Sequence, residues 1–154
     1  MRSKSNILLW YWLPAFLWLA VVALFSSQSF SAGHTGVFLK SILAWLHINV
    51  TNTEMLALHH VIRKCAHFTA YGVLSALFFR AVRGPERRGM WQWSWALITL
   101  AICLATASAD EFHQAFTPGR EGNYRDVLLD MTGATFVQLV IVVVYLVRRK
   151  RNER

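Results

Sequence analysis

Charged residues are scarce in this chain, and cysteine is rarer still. Only 16% of the 154 residues are Asp, Glu, Lys or Arg, while 55% are hydrophobic. Soluble domains usually carry about 25% charged residues. Two cysteines are too few for a disulfide framework, and the sequence contains no internal repeat or low-complexity linker. These features exclude a disulfide-rich secreted domain and an ordinary soluble domain, and they favour a single integral membrane domain over residues 1–154.

Four apolar segments are long enough to span a bilayer. They cover about residues 7–25, 64–82, 95–114 and 127–147, and each approaches the roughly 20 residues that a hydrocarbon core of about 30 Å requires. All four are predicted to be helices, because lipid offers no partner for unpaired backbone groups. Residues 36–48 have apolar side chains at helical spacing but form too short a run to span, which predicts an interfacial or re-entrant helix in the first outer loop. The predicted fold is therefore an all-α membrane protein with four transmembrane helices.

Basic residues lie mostly on one side of the predicted membrane. They are Arg2, Lys4, Arg80, Arg83, Arg87, Arg88, Arg148, Arg149, Lys150, Arg151 and Arg154. The positive-inside rule makes this side cytoplasmic, which predicts cytoplasmic N and C termini and a multi-pass protein of a bacterial cytoplasmic (inner) membrane. A formal charge of +8 would suit nucleic acid, but the basic tail directly follows a span. It is therefore interpreted as a contact for anionic membrane lipids, and no nucleic-acid partner is predicted.

Polar residues on three spans are predicted to reach one depth near the outer face. They recur at helical spacing and are Lys64, His67, Tyr71, Asp110, Glu111, His113, Gln114, Asp126 and Asp130. Ionisable groups inside a span cost roughly 2.5–3.5 kcal/mol each on insertion scales, so they are expected to face the bundle interior or a wet cavity. Asp130 lies deepest. Histidines further out, including His59 and His60, are interpreted as loop residues in water.

Small residues also recur at helical spacing on two of the spans. Ala101, Ala105 and Ala109 form such a stripe on the third span, and Gly72 and Ala76 form one on the second. Small side chains allow helix backbones to approach closely. Both stripes are therefore predicted to lie at helix–helix contacts in a compact bundle.

Three sequence blocks resemble the VanZ family of bacterial membrane proteins. They are LFSSQS, RKCAHFTAYGVLSALFFRA and SADEFHQAFTPGREGNYRDVLLDMTGATFVQL, which follow in order from about Phe25 to Leu139. The resemblance implies functional roles for Gln28, Lys64, His67, Tyr71, Asp110, Glu111, His113, Gln114, Arg120, Asp126 and Asp130. The family is named after a member linked to resistance to the glycopeptide antibiotic teicoplanin. The resemblance therefore implies a role in the cell envelope and specifies no reaction.

Three functions stay open for the outer polar residues. In the first, they bind or handle an envelope lipid or a lipid-linked cell-wall precursor, with a consequence for teicoplanin susceptibility. In the second, His113 with Asp110 or Asp130 performs acid–base or phosphoryl chemistry on a lipid-linked substrate. Arg120 and Lys64 would then hold an anionic head group. In the third, the polar residues form a structural network in a scaffold protein.

No cofactor or metal site is predicted. The outer carboxylates and imidazoles include ligand types suited to Zn²⁺ or Mg²⁺, but the H-E-x-x-H spacing is absent. A divalent metal therefore remains an alternative. The G-x-S-x-G motif is also absent, which disfavours acyl-enzyme chemistry.

Overall fold

Helices account for all the regular structure in the described part of the chain. The computed structural model describes residues 4–26, 32–45, 47–48, 50–85, 90–116 and 123–153. Its helices are α1 (Lys4–Ser26), α2 (Ala32–Trp45), α3 (Asn52–Arg83), α4 (Trp93–Ala115) and α5 (Tyr124–Asn152). Three of them, α3, α4 and α5, are long and apolar enough to cross a membrane, whereas the apolar part of α1, Leu9–Leu24, is shorter. The predicted all-α class is confirmed, and the three long apolar helices are consistent with a membrane protein.

The beginning of α3 differs from the predicted second span. The Glu54 amide donates to Thr51 Oγ1 at 3.3 Å, and the Thr51 amide donates to the Glu54 carboxylate at 2.8 Å. This capping box satisfies two amides that the first helical turn would leave unpaired. It starts the helix well before the apolar run, because caps depend on local hydrogen bonds and not on hydropathy. His59 and His60 therefore lie within α3, and their interpretation as loop residues is wrong.

The other helices follow the sequence predictions more closely. α4 begins and ends within a few residues of the predicted third span, while α5 begins earlier than the fourth span and continues into the basic tail as far as Asn152. The helix predicted in the first outer loop exists as α2, which packs against α3. Its position relative to the bilayer stays a prediction.

α3 is the central helix of the bundle, since it contacts each of the other four. Its Tyr71, Leu74 and Phe78 form the middle of the main hydrophobic core, which α1, α4 and α5 complete with small side chains and a valine. α1 is also joined to α3 by a hydrogen bond from Trp18 Nε1 to the Ala70 carbonyl at 2.9 Å. Any side chain on the inner face of α3 is therefore held by neighbours from several helices.

Glycine allows α3 and α5 to approach each other closely. A Cβ added at Gly133 would collide with the backbone of Phe68, since it would lie 2.9 Å from the carbonyl carbon and closer still to the carbonyl oxygen. On the α3 side, a Cβ at Gly72 would lie 3.1 Å from Val137 Cγ2. The prediction that Gly72 lies at a close helix contact is confirmed.

The alanine stripe on α4 faces away from the bundle. Ala101, Ala105 and Ala109 are exposed, so the prediction that they form a helix–helix contact within the chain is wrong. The buried face of α4 instead carries Cys103 and Ala107. α4 therefore has two parallel stripes of small residues, and spacing alone does not indicate which one packs.

Large apolar side chains cover the outside of the long helices. On α5, Leu139, Val143 and Val147 are exposed, and α4 exposes Leu97 and Leu104 in the same way. A soluble protein would rarely present so much contiguous apolar surface to water. This surface fits contact with lipid along both helices.

Substitution of Gly133 by Ala is expected to destabilise the bundle, because the added methyl group meets backbone atoms that move only if α3 and α5 separate. We expect a loss of about 1–3 kcal/mol, the usual range for overpacking, measured as a lower melting temperature in detergent. Gly36→Ala is the matched control, since a Cβ there meets nothing within 4 Å. Equal melting temperatures for Gly133→Ala and the wild type would contradict the close contact.

Candidate functional site

Polar side chains of α3, α4 and α5 converge where α4 ends and α5 begins. Hydrogen bonds join α3 to α5 and α4 to the residue that caps α5. We call this cluster the polar site, and its members are His67, Tyr71, Asp110, Glu111, Gln114, Asp126 and Asp130. The sequence had singled out each of them. The structure brings them together, while their role in binding or catalysis stays a prediction.

Asp130 and His67 form the link between α5 and α3. The imidazole Nδ1 lies 3.2 Å from Asp130 Oδ1, and the His67 side chain is 20% exposed whereas that of Asp130 is 1% exposed. Asp130 is one turn before Gly133, so the close approach of the two helices places its carboxylate against α3. The second oxygen, Oδ2, is buried and has no hydrogen-bond partner among the described residues. A buried acceptor of this kind is costly unless a donor reaches it.

Glu111 joins the end of α4 to the start of α5. Its Oε2 accepts a hydrogen bond from the Asn123 amide at 2.7 Å, and Asn123 caps α5 by accepting from the Arg125 amide at 3.0 Å. The negative carboxylate thus lies at the positive end of the α5 helix dipole, which is a favourable position. The other oxygen, Oε1, is buried without a partner among the described residues. Glu111 therefore has a structural role and a free acceptor.

Asp110, Gln114 and Tyr71 complete the polar site. Gln114 Nε2 donates to Asp110 Oδ2 at 3.1 Å across one helical turn, and the Gln114 side chain is 2% exposed. The ring of Tyr71 is fully buried in the core, and its hydroxyl has no hydrogen-bond partner within the described ranges. Asp110 and Asp130 are both close enough to act on that hydroxyl electrostatically. The tyrosine thus presents a polar atom to the acidic side of the site.

Negative charge dominates the polar site. Asp110 and Asp126 both repel a negative charge on Asp130, and the same two residues act on the other buried carboxylate of the site. His67 lies against this cluster, and Arg63 is close enough to act on its ring electrostatically. Like charges in a poorly solvated region repel strongly. The site therefore favours a ligand that supplies hydrogen-bond donors or positive charge.

Four predicted site residues are not assigned to the polar site. Lys64 and His113 are exposed, while Gln28 and Arg120 lie outside the described residues. His113 is two positions from Glu111, and this spacing turns it about 200° around the helix axis from the buried carboxylate. The buried acid, Asp130, is paired with the α3 histidine. His67 is thus an imidazole that an aspartate orients.

Ser75 and Gln138 form a second polar contact that the sequence analysis missed. Gln138 Nε2 donates to Ser75 Oγ at 2.8 Å, and Ser75 Oγ donates to the Ala134 carbonyl at 3.0 Å. Both side chains are buried, and Gln138 Oε1 has no partner among the described residues. Ser75 lies one turn beyond Tyr71 on α3, and Gln138 lies two turns beyond Asp130 on α5. The available signal was this helical spacing, i, i+4 on α3 and i, i+8 on α5, and it shows that polar contacts continue inward along the α3–α5 contact.

The described residues show no ready metal centre. No group of three or more His, Cys, Asp or Glu side chains within the described ranges is arranged to hold a metal ion. A divalent ion therefore remains an alternative from the sequence and gains no support from this geometry.

The arrangement can bind ligands and can move protons. When His67 carries its proton on Nδ1, it donates to Asp130, and Nε2 remains as the basic nitrogen. An aspartate in this position fixes the ring orientation and stabilises the protonated ring. The unpaired oxygens of Asp130 and Glu111 can accept hydrogen bonds from hydroxyl or ammonium groups.

Comparison with known proteins gives a family and no individual relative. The model of the VanZ/LLP1 family matches residues 11–147, a range that includes the whole polar site. No match was found among curated proteins or among solved structures.

A double-mutant cycle between Asp130→Ala and His67→Ala is expected to show coupling. Each single substitution leaves its partner buried without a hydrogen bond, so the effects overlap in the double variant. We expect an interaction energy of about 1–3 kcal/mol, measured from unfolding in mixed detergent micelles. The control cycle pairs Asp130→Ala with His60→Ala, because His60 is an exposed histidine of the same helix. Additive effects in the His67 cycle would contradict the pairing.

Proposed function

The chain belongs to the VanZ/LLP1 family, and from this membership we propose that it binds the head group of an envelope lipid or of a lipid-linked cell-wall precursor. The family match confirms the resemblance inferred from the three sequence blocks. The proposal includes an effect on teicoplanin susceptibility, since the family is named after a member linked to that resistance. The polar site is the proposed binding site.

The observation that most strongly supports this proposal is the burial of the Asp130 carboxylate with one oxygen unpaired among the described residues. This carboxylate is 1% exposed on a helix apolar enough to span a membrane, and Oδ2 lacks a partner among the described residues. An ionisable group within a span costs roughly 2.5–3.5 kcal/mol, and such groups commonly mark functional sites. His67 offsets part of this cost through one oxygen. The other oxygen is available to a donor on a ligand.

The chemistry around Asp130 indicates the kind of head group. Buried acceptor oxygens on Asp130 and Glu111 suit hydroxyl or amino groups, such as those of a sugar. Arg63 and the exposed Lys64 lie about one turn before His67 on α3 and could attract a phosphate. A lipid-linked cell-wall precursor combines a sugar with phosphate, so it offers partners for both sets of residues.

The proposal places four spans in a bacterial cytoplasmic membrane, with both termini in the cytoplasm. α1 is the proposed fourth span because its apolar stretch, Leu9–Leu24, packs along α3. The end of α5 exposes Arg148, Lys150 and Arg151, on the opposite side of the bundle from the polar site. The positive-inside rule assigns this basic end to the cytoplasm, so the polar site would face outward.

Catalysis is the second candidate, and the His67–Asp130 pair is the observation that favours it. An imidazole held by a buried carboxylate through Nδ1 can exchange protons through Nε2. In this alternative, His67, like the predicted candidate His113, acts as acid or base on a lipid-linked substrate. The Tyr71 hydroxyl provides a further donor close to the same carboxylates.

The topology predicts a specific pattern of cysteine labelling. In a Cys65→Ser background, Asn52→Cys should react with a membrane-impermeant maleimide in intact cells, because Asn52 begins α3 on the outer side. Lys150→Cys should react only after permeabilisation. The remaining Cys103 is fully buried, so the background variant should stay unlabelled. The reverse pattern would contradict the proposed orientation.

Asp130→Asn and Glu111→Gln are expected to weaken binding of a polyprenyl diphosphate that carries a sugar. Each change replaces one carboxyl oxygen by an amide nitrogen and so removes an acceptor, and the loss of one hydrogen bond to the ligand corresponds to about tenfold in affinity. Binding would be measured with purified protein in nanodiscs, and teicoplanin susceptibility would be measured in cells producing each variant. Glu153→Gln is the control, because Glu153 is an exposed acid that pairs only with Arg149 among the described residues.

The same variants separate the candidate functions. Wild-type affinity for the precursor in both site variants, at normal protein levels, would refute the binding proposal. Failure of both variants to accumulate in the membrane would favour a structural network. If the protein is an enzyme, His67→Gln should still bind the precursor. The wild type should convert the bound precursor and the variant should not, and conversion would be followed by mass spectrometry of extracted lipids.

A further inference from the structure

Basic side chains lie on α3 directly outside the polar site. Arg63 and Lys64 are about one helical turn before His67, and His60 is about one turn before them. Arg63 is half-buried, whereas Lys64 and His60 are exposed. We call His60, Arg63 and Lys64 the basic triangle. All three belong to one continuous helix, Asn52–Arg83, so the helix itself fixes their relative positions.

Helix geometry brings the basic triangle to one place. Residues three or four apart on a helix are neighbours, with Cβ atoms about 5–6 Å apart, and His60 has this relation to both Arg63 and Lys64. The same two residues have it to His67. The two histidines are seven residues apart, which is two turns less about 20° of rotation. Arg63 and Lys64 therefore lie on either side of the line that joins the histidines, and they flank the outward approach to the polar site.

The basic triangle adjoins the acids of the polar site. Arg63 is close enough to His67 to act on its ring electrostatically, and His67 contacts the buried carboxylate of Asp130. Side chains on a helix lean toward its N-terminus, so Arg63 and Lys64 extend toward His60 and away from the acids. A ligand that contacts both regions would present negative charge to α3 and hydrogen-bond donors to α4 and α5.

Position along α3 places the basic triangle at the level of the lipid head groups. The helix ends at Arg83 on the proposed cytoplasmic side, and a hydrocarbon core of about 30 Å takes about 20 helical residues. Counting back from Arg83 reaches the outer boundary of this core at about Arg63. Arginine and lysine are enriched at the cytoplasmic ends of spans, so Arg63 and Lys64 at an outer end run against this bias. A phosphate at the same level would compensate their charge.

The number of charges indicates the kind of phosphate. Arg63 and Lys64 each carry one positive charge at neutral pH. A sugar joined to its lipid carrier through one phosphate has one negative charge in that linkage, whereas a diphosphate linkage has two. The guanidinium and the ammonium each offer several N–H donors to phosphate oxygens, and the His60 ring adds a further donor beside them. The basic triangle therefore matches a diphosphate better than a monophosphate.

We propose that the basic triangle binds the diphosphate of a carrier-linked precursor and selects it over a monophosphate linkage. This inference rests on the proposed function, since it concerns the anionic part of the same ligand whose hydroxyl or amino groups the polar site binds. Arg63 and Lys64 each bind one phosphoryl group, and His60 donates to the same diphosphate. The ligand then extends from the basic surface of α3 to the acids of α4 and α5.

The test compares a polyprenyl diphosphate with a polyprenyl monophosphate that carries the same sugar, using the purified full chain in nanodiscs. The wild type should bind the diphosphate about tenfold more tightly, because it makes one more charge-assisted contact. Arg63→Gln and Lys64→Gln should each weaken diphosphate binding about tenfold and bring the ratio of the two affinities close to one. Lys64→Arg keeps the charge and should keep the ratio. Lys150→Gln removes an exposed charge at the other end of the bundle and should bind both ligands like the wild type.

The ratio of affinities separates this inference from the proposed function. Asp130→Asn should weaken both ligands alike and leave the ratio unchanged, since both carry the same sugar. Equal affinity of the wild type for the two ligands would overturn the basic triangle alone, as would an unchanged ratio in both Arg63→Gln and Lys64→Gln. If the wild type binds neither ligand, the proposed function and this inference are both refuted. Equally tight binding of inorganic diphosphate would overturn the assignment to a lipid-linked ligand. If Arg63→Gln fails to fold, Lys64→Gln decides the result, since Lys64 is exposed.

Discussion

The contact between Gly133 and the backbone of Phe68 sets the distance between α3 and α5, and most of the described structure depends on that distance. A Cβ at position 133 would overlap the α3 backbone. Without this approach, the carboxylate of Asp130 would not reach His67 at 3.2 Å, and the Gln138 amide would not reach Ser75 at 2.8 Å. The polar contacts are thus made possible by the absence of a side chain at position 133, because the polar groups can pair only when the two helices fit closely together.

The sequence predicted well at which level along the helices the polar side chains lie, and it predicted less well on which face of each helix they lie. Rise along a helix is fixed at about 1.5 Å per residue, so counting residues was enough to place Asp110, Asp130 and His67 at one level. The face on which a side chain lies is buried or exposed according to which stripe of the helix packs against its neighbours. On α4, both a buried and an exposed stripe consist of small residues, so the wrong alanines were assigned to a contact. Packing between helices decides such questions, and hydropathy carries no information about it.

The two ends of the bundle have opposite hydrogen-bonding character. Among the described residues, the polar site has buried acceptors without donors, at Asp130 Oδ2 and Glu111 Oε1, whereas the opposite end has buried donors without acceptors, at Arg83 Nε and Trp91 Nε1. Both imbalances were invisible in the sequence, because composition counts polar groups without showing which atoms are paired.

Several links between helices end on main-chain carbonyls. Trp18 donates to the carbonyl of Ala70, Ser75 donates to that of Ala134, and Gly133 rests against that of Phe68. A carbonyl is present whatever side chain its residue carries. Mutations at the accepting positions can therefore accumulate during evolution without breaking these links, as long as the new side chain fits, whereas Trp18, Ser75 and Gly133 have no such latitude. The bundle places its evolutionary constraint on one partner of each contact.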